Sequence, residues 1–147
     1  MVFASLNTAR VKAQDARRIT DLREMRKALE LYYDTNGSYP SSGWIKSSDT
    51  AWSDSNTAGT LANVLQPYIP SLPKDPINST GWPYANANAS TYAYNGGNNT
   101  FELLGHFEDT SNPMRCEIKK YRRAGSGNVW CEAPTNGSNY LFTNDPN

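Results

Sequence analysis

One long amphipathic helix at the start of the chain constrains its fold more than any other sequence feature. Apolar residues recur there at spacings of three and four, the periodicity of a single helix face; they are Ile19, Leu22, Met25, Leu29, Tyr32 and Tyr33. The pattern predicts a helix over residues 4–33 that packs on the rest of the chain through this stripe. Upstream, the periodic positions hold mostly small side chains, so we expect residues 1–15 to project from the folded head.

The chain changes character after the helix and becomes rich in Gly, Ser and Asn. The pair at 36–37, Asn followed by Gly, is expected to end the helix through a left-handed cap. Residues 41–60 are polar and are predicted to form a loop that Trp44 and Trp52 pin to the head. A short helix is predicted over 60–67, with a threonine as its N-cap.

A β-hairpin is the clearest signal in the second half of the sequence. Aromatic runs at 91–94 and 100–107 flank the segment 95–99, which holds only Asn and Gly. Residues that tolerate positive φ between two aromatic runs predict a hairpin. Further short strands are predicted at 117–121, 128–130 and 139–142.

These elements predict an α+β fold in which the long helix packs on an antiparallel sheet of about three to five strands. With 147 residues, the chain is long enough for one domain and too short for two. We divide this single domain into a helix over 1–35, an αβ-loop with a short helix over 36–90, and a sheet with a C-terminal loop over 91–147.

The charge is unevenly distributed, although the formal net charge is zero. Residues 1–33 carry seven Lys or Arg against four Asp or Glu, whereas the rest of the chain carries seven against ten. A basic helix and a mildly acidic head favour packing between subunits over bulk binding of nucleic acid.

Two cysteines, Cys116 and Cys131, enclose a segment rich in Lys, Arg and Gly that has little apolar surface to bury. A disulfide between them would contribute about 3 kcal/mol on the chain-entropy model and would imply an oxidising compartment. Two free thiols are the alternative.

The sequence lacks the residue sets that catalysis or metal binding commonly requires. His106 is the only histidine, and the two cysteines are not spaced as in a zinc site. No Gly-rich phosphate loop follows a predicted strand and opens a helix. We therefore expect no enzymatic activity and no cofactor.

Several short motifs carry a family resemblance: ASLNTAR at 4–10, KAQDARR at 12–18, ALELYYDTNGSYP at 28–40, LPKDP at 72–76 and YAY at 92–94. In combination and order they are similar to bacterial type IV pilins and to the pseudopilins of type II secretion, over residues 1–107. In that family an apolar segment of about two dozen residues precedes this point, anchors the subunit in the inner membrane and forms the filament core. We expect the chain to start just after such a segment.

The resemblance implies a structural subunit of an extracellular type IV pilus filament, resident in the inner membrane and periplasm before assembly. Its partners would be copies of itself and other pilin-like subunits. Cys116 and Cys131 would close a C-terminal loop like that of pilins. The helix residues expected to face neighbouring subunits are Leu6, Arg10, Lys12, Arg17 and Arg18.

A secretion pseudopilin is the alternative within the same family. Major pseudopilins resemble one another in a calcium-binding loop near the C-terminus, and this sequence lacks a clear alternation of oxygen ligands there. Calcium is therefore unsupported, although Glu108, Asp109 and Asp145 leave it open.

A minor pilin or adhesin that binds DNA or glycan is the remaining alternative. Five basic residues that surround Tyr121 could hold a polyanion, or could simply protect an edge strand from aggregation; they are Arg115, Lys119, Lys120, Arg122 and Arg123. The tryptophans could form a glycan-binding face or pin loops onto the head. The Asn-x-Ser/Thr triplets are accounted for by composition alone.

Overall fold

The computed structural model describes residues 2–83, 89–109, 111–114 and 139–143. It confirms the predicted α+β class, with a long N-terminal helix and a small antiparallel sheet. The elements in chain order are α1 (Val2–Asn36), β1 (Ser42–Lys46), α2 (Thr50–Ser53), α3 (Leu61–Leu65), β2 (Ala93–Gly97), β3 (Thr100–His106) and β4 (Asn139–Thr143). The predicted strands at 117–121 and 128–130 lie outside the described residues.

The end of α1 is set by a glycine in the left-handed region. Gly37 has φ +71°, and its N–H donates to the carbonyl of Tyr33 over 2.8 Å. This single bond satisfies a carbonyl that the helix leaves unpaired, and glycine adopts the required φ without a Cβ clash. The predicted left-handed cap is confirmed.

The predicted helix over 60–67 is also confirmed, in a shorter form. The hydroxyl oxygen of Thr60 accepts a hydrogen bond from the backbone N–H of Asn63 over 3.3 Å, so Thr60 is the N-cap of α3. Leu61 and Leu65 are buried, and they attach this short helix to the core.

Four strands pair in the order β1-β2-β3-β4, and every neighbouring pair in this sheet is antiparallel. Gly97 pairs with Thr100, which leaves Asn98 and Asn99 as a two-residue hairpin loop. Asn98 has φ +48°, a value that asparagine tolerates better than most residues. The predicted hairpin is confirmed, although β2 continues further into the Asn/Gly segment than expected.

The loop predicted over 41–60 is wrong in part, because β1 and α2 both lie within it. Ile45 of β1 pairs with Tyr94 of β2, and Lys46 pairs with Ala93. The polar composition of this segment argued against a strand, but pairing with an adjacent strand outweighs such local preferences.

The core lies between α1 and the sheet. Leu22, Met25 and Leu29 of the helix stripe are fully buried, as their spacing predicted. A Cβ on Gly105 of β3 would lie 2.8 Å from Leu22 Cδ1, so the glycine allows the helix and the sheet to approach closely. Residues 5–14 are exposed or only partly buried, as expected for a helix start that projects from the head, but Asp15, which the prediction included, is buried.

Candidate functional site

The guanidinium of Arg18 is buried and makes four hydrogen bonds to carboxylates. Its side chain is completely buried, and so is that of Asp15, one helical turn earlier. Nη1 of Arg18 donates to Asp15 Oδ1 over 2.7 Å. Residues three apart lie on the same face of a helix, and here that face turns toward the head. We call Arg18 and its three carboxylate partners, Asp15, Asp75 and Glu108, the Arg18 node.

Asp75 binds Arg18 through both carboxylate oxygens. Arg18 Nε donates to Oδ2 over 2.7 Å, and Nη2 donates to Oδ1 over 3.1 Å. This is the bidentate geometry in which a planar guanidinium matches a carboxylate. Oδ1 of Asp75 also accepts the backbone N–H groups of Ile77 and Asn78, over 2.9 and 3.3 Å. The loop after Pro73 is thereby attached to α1.

The end of β3 meets the same node through Glu108 and the residue after it. Arg18 Nη1 donates to Glu108 Oε1 over 2.9 Å. The carboxylate of Asp15 accepts the backbone N–H of Glu108 over 3.0 Å and that of Asp109 over 2.9 Å. The helix therefore fixes the first residues of the segment that leaves the sheet after β3.

Three carboxylates surround one guanidinium in this node. Burial alone would lower the pKa of Arg18, but hydrogen bonds and negative charge from Asp75, together with Glu108 and Asp15, raise it well above its ordinary value. Four hydrogen bonds to carboxylates occupy most of the five N–H donors of the guanidinium. The arrangement joins three segments and leaves little capacity to bind a ligand.

The residues predicted to face neighbouring subunits divide into two groups. Leu6 is 61% exposed, and Arg10, Lys12 and Arg17 are exposed on the same helix. Arg18 differs from the expectation, because its side chain is enclosed in this chain by its own carboxylates. Its guanidinium is therefore not available to a neighbouring subunit.

The exposed basic side chains on α1 make weak contacts within the chain. Arg17 approaches Asp21 at 3.4 Å, and Arg10 approaches Glu108 at 3.9 Å. Ion pairs of such exposed groups contribute about 0–1 kcal/mol. These cations can therefore exchange their partners at little cost.

Two sets of predicted site residues lie outside the described residues. These are the cysteine pair, Cys116 and Cys131, and the basic set Arg115, Lys119, Lys120, Arg122 and Arg123. Both the disulfide and the polyanion-binding strand stay predictions.

The tryptophans in the described residues have different environments. Trp52 is fully buried, and its indole N–H donates to the carbonyl of Pro73 over 3.1 Å, so it pins a loop as predicted. Trp82 lies under the ammonium of Lys46, which is 4.4 Å from the ring centroid. Trp44 is partly buried in β1.

Among the described residues, no group of three or more His, Cys, Asp or Glu side chains is arranged to hold a metal ion. In the Arg18 node, the guanidinium itself lies among the three carboxylates and neutralises part of their charge. His106 is buried at the end of β3. Of the helices in the described part of the chain, none is both long enough and apolar enough to cross a membrane.

A small cleft lies where α1 ends, between that helix, β1 and α3. Its volume is about 180 Å³, and Tyr32, Pro40, Ser42, Leu61 and Val64 are among the residues that line it. The lining provides hydroxyl and apolar groups without a charged side chain. It offers no counter-charge for an ionic ligand.

Comparison of the chain with protein-family models, with curated proteins and with solved structures finds no match. The geometry of the molecule and the resemblance of its motifs are therefore the basis for proposing a function.

Proposed function

We propose that this chain is part of a pilin-like structural subunit that assembles into an extracellular type IV pilus filament through its N-terminal helix. The observation that carries the proposal is the change in environment along α1. Residues 5–14 are exposed or partly buried, whereas Asp15, Arg18, Leu22 and every buried helix residue after them pack into the head. One helix thus contributes to the core of the domain and also extends from it. We call residues 5–14 the extension.

The extension has the composition of a surface that another protein covers. Leu6 is a large apolar side chain with 61% of its surface exposed. The exposed cations Arg10 and Lys12 lie on the same extension, and Arg17 is exposed on the helix just after it. Burial of one fully exposed leucine is worth about 1.5–3 kcal/mol, and acidic groups of a neighbouring head would complement the cations. Both features support helix-mediated assembly.

A pair of matched substitutions in the complete gene, expressed in the cells that encode it, tests the proposal. Leu6→Glu places a charge on the extension, and Ile77→Glu places the same charge on an apolar residue of the head that is 48% exposed. Neither side chain is part of the core, so the purified 147-residue chain should melt at an unchanged temperature with either substitution.

Electron microscopy with an antibody against the head then measures assembly. We expect labelled surface filaments in the wild type and in Ile77→Glu, and their loss in Leu6→Glu. Wild-type cells without labelled filaments would refute the filament assignment. Normal filaments in Leu6→Glu cells would refute the role of the extension.

A further inference from the structure

Asparagine in Asn-x-Ser/Thr triplets is the acceptor of N-linked glycans, and such sites must be exposed to be modified. The sequence holds five triplets, at Asn36, Asn78, Asn88, Asn98 and Asn136. Of these, Asn88 and Asn136 lie outside the described residues. The other three have clearly different environments, and the structure therefore distinguishes among them.

Asn98 is the first residue of the two-residue hairpin loop between β2 and β3. It is exposed, and Thr100, the third residue of its triplet, is exposed as well. The backbone carbonyl of Asn98 accepts the N–H of Tyr39 over 2.8 Å, so the loop is held firmly while its side chains face solvent. An enzyme can reach both the carboxamide and the hydroxyl of this triplet.

Asn36 is the last residue of α1 and is also exposed. Its Nδ2 donates to the carbonyl of Tyr32 over 2.9 Å and to the hydroxyl of Tyr68 over 3.4 Å. A carboxamide nitrogen carries two hydrogens, so a sugar can replace the one that makes the longer bond to Tyr68 while the bond to Tyr32 persists. Because Tyr39 binds Asn98, the end of α1 and the hairpin tip lie at the same end of the molecule, which we call the hairpin pole.

Asn78 is enclosed by the head. It is partly buried with φ +53°, and its Oδ1 accepts the hydroxyl of Ser47 over 2.7 Å. Its backbone N–H donates to Asp75 of the Arg18 node. These two bonds and the partial burial hold Asn78 in one conformation and limit the access of an enzyme to its carboxamide, so this triplet is an internal control.

We propose that the hairpin pole is a glycan-bearing surface, in which at least one of Asn98 and Asn36 is an N-linked acceptor and Asn78 is unmodified. The donor class is an oligosaccharide linked to a lipid through a diphosphate. The asparagine Nδ2 forms a bond to the anomeric carbon, the bond from that carbon to the diphosphate oxygen breaks, and Nδ2 loses one proton as the lipid diphosphate leaves. The proposal goes beyond filament assembly and requires that the chain be exported in a cell that holds this donor and an enzyme that transfers it.

Mass spectrometry of the protein isolated from the cells that encode it tests this inference, both on the intact chain and on its peptides. We expect a sugar on the peptide that contains Asn98 or on the one that contains Asn36, with Asn78 bare. Thr100→Ala should remove the sugar from Asn98, whereas Thr100→Ser should keep it. Both variants should fold normally, because Thr100 is exposed at the start of β3.

The same paired substitutions at Ser38, to Ala and to Thr, test the triplet at Asn36. Unmodified peptides at both Asn36 and Asn98 would overturn the proposal, as would a sugar on Asn78. Filament formation is scored separately, so bare filaments would refute the glycan-bearing pole and leave the assembly proposal standing.

Discussion

Replacement of Arg18 by methionine tests whether the Arg18 node holds the head on its helix. Methionine preserves much of the length of the side chain, but it removes four hydrogen bonds and the positive charge that bonds Asp15 and Asp75. Asp15 and Asp75 would then be buried without that partner. We therefore expect one of the largest losses of stability that a single substitution in the described residues can cause.

The magnitude follows from the cost of an uncompensated buried charge. Hydrogen bonds to charged groups contribute about 1.5–3 kcal/mol each, but bonds within one network are not additive. Removal of one partner from a buried ion pair costs about 3–5 kcal/mol. We expect Arg18→Met to lower the free energy of unfolding by that amount, out of a total of about 5–15 kcal/mol for a domain.

Urea unfolding, followed by tryptophan fluorescence, to which the buried Trp52 contributes, measures this loss. Arg17→Met is the matched control, because Arg17 is 58% exposed and approaches Asp21 at 3.4 Å, and Asp21 keeps its hydrogen bond from the hydroxyl of Tyr92 when Arg17 is replaced; it should cost no more than about 1 kcal/mol. Arg18→Lys should fall between the two, since lysine keeps the charge and loses the bidentate geometry.

A double-mutant cycle identifies the cause of the loss. Asn at position 75 can still accept the backbone N–H groups of Ile77 and Asn78 but carries no charge. Asp75→Asn should therefore be less costly in Arg18→Met than in the wild type, by about 1–3 kcal/mol. Equal costs of Arg18→Met and Arg17→Met would refute the reasoning.

Three further substitutions or conditions test other parts of the fold. Gly105→Ala should destabilise the head by about 1–3 kcal/mol, because its Cβ would press on Leu22; thermal melting measures this. Thr60→Ala should cost about 1 kcal/mol in the same assay through loss of the α3 cap, and no change would mean that the cap is dispensable. Burial and the hydrogen bond to Glu30 raise the pKa of Tyr39 to about 12. Since an unfolded tyrosine titrates near pH 10, this tyrosine's contribution is complete below about pH 10 and is lost as the pH rises to about 12. In Tyr39→Phe, the free energy of unfolding measured with urea should fall less steeply as the pH rises from about 10 to about 12. The same dependence on pH as in the wild type would contradict this assignment to Tyr39.

The sequence predicts the helix and hairpin well because their signals are local. A 3.6-residue periodicity identifies the stripe of α1. Asn36-Gly37 marks where the helix ends, and the Asn/Gly segment 95–99 marks where the hairpin forms. The strand β1 was not predictable in the same way, since its pairing with β2 depends on residues about fifty positions away. Composition alone describes that segment as a loop.

The Arg18 node could have been predicted in part from the same periodicity. Positions 15, 18, 22, 25 and 29 are spaced by three, four, three and four residues, so Asp15 and Arg18 continue the buried stripe toward the N-terminus. Their charge, together with the Arg17-Arg18 doublet, favoured a surface interpretation. The identity of the distant partners, Asp75 and Glu108, could not be derived, because neither local pattern nor spacing relates them to the helix.

The position of the node bears on how a filament subunit would carry load. Residues 5–14 are exposed or partly buried and Asp15 is buried, so the node lies where the exposed extension enters the head. Apolar contacts are not directional, whereas the bidentate pair with Asp75 and the two backbone bonds to Asp15 fix both angle and distance. If neighbouring subunits hold the extension, a force on the head reaches it first at this joint. A node built from charged hydrogen bonds resists rotation there, where an apolar contact would allow the helix to slide. The node would therefore fix the orientation of the head on the helix as well as hold it there. Arg18→Lys cells should still assemble filaments, but with heads in less regular orientations.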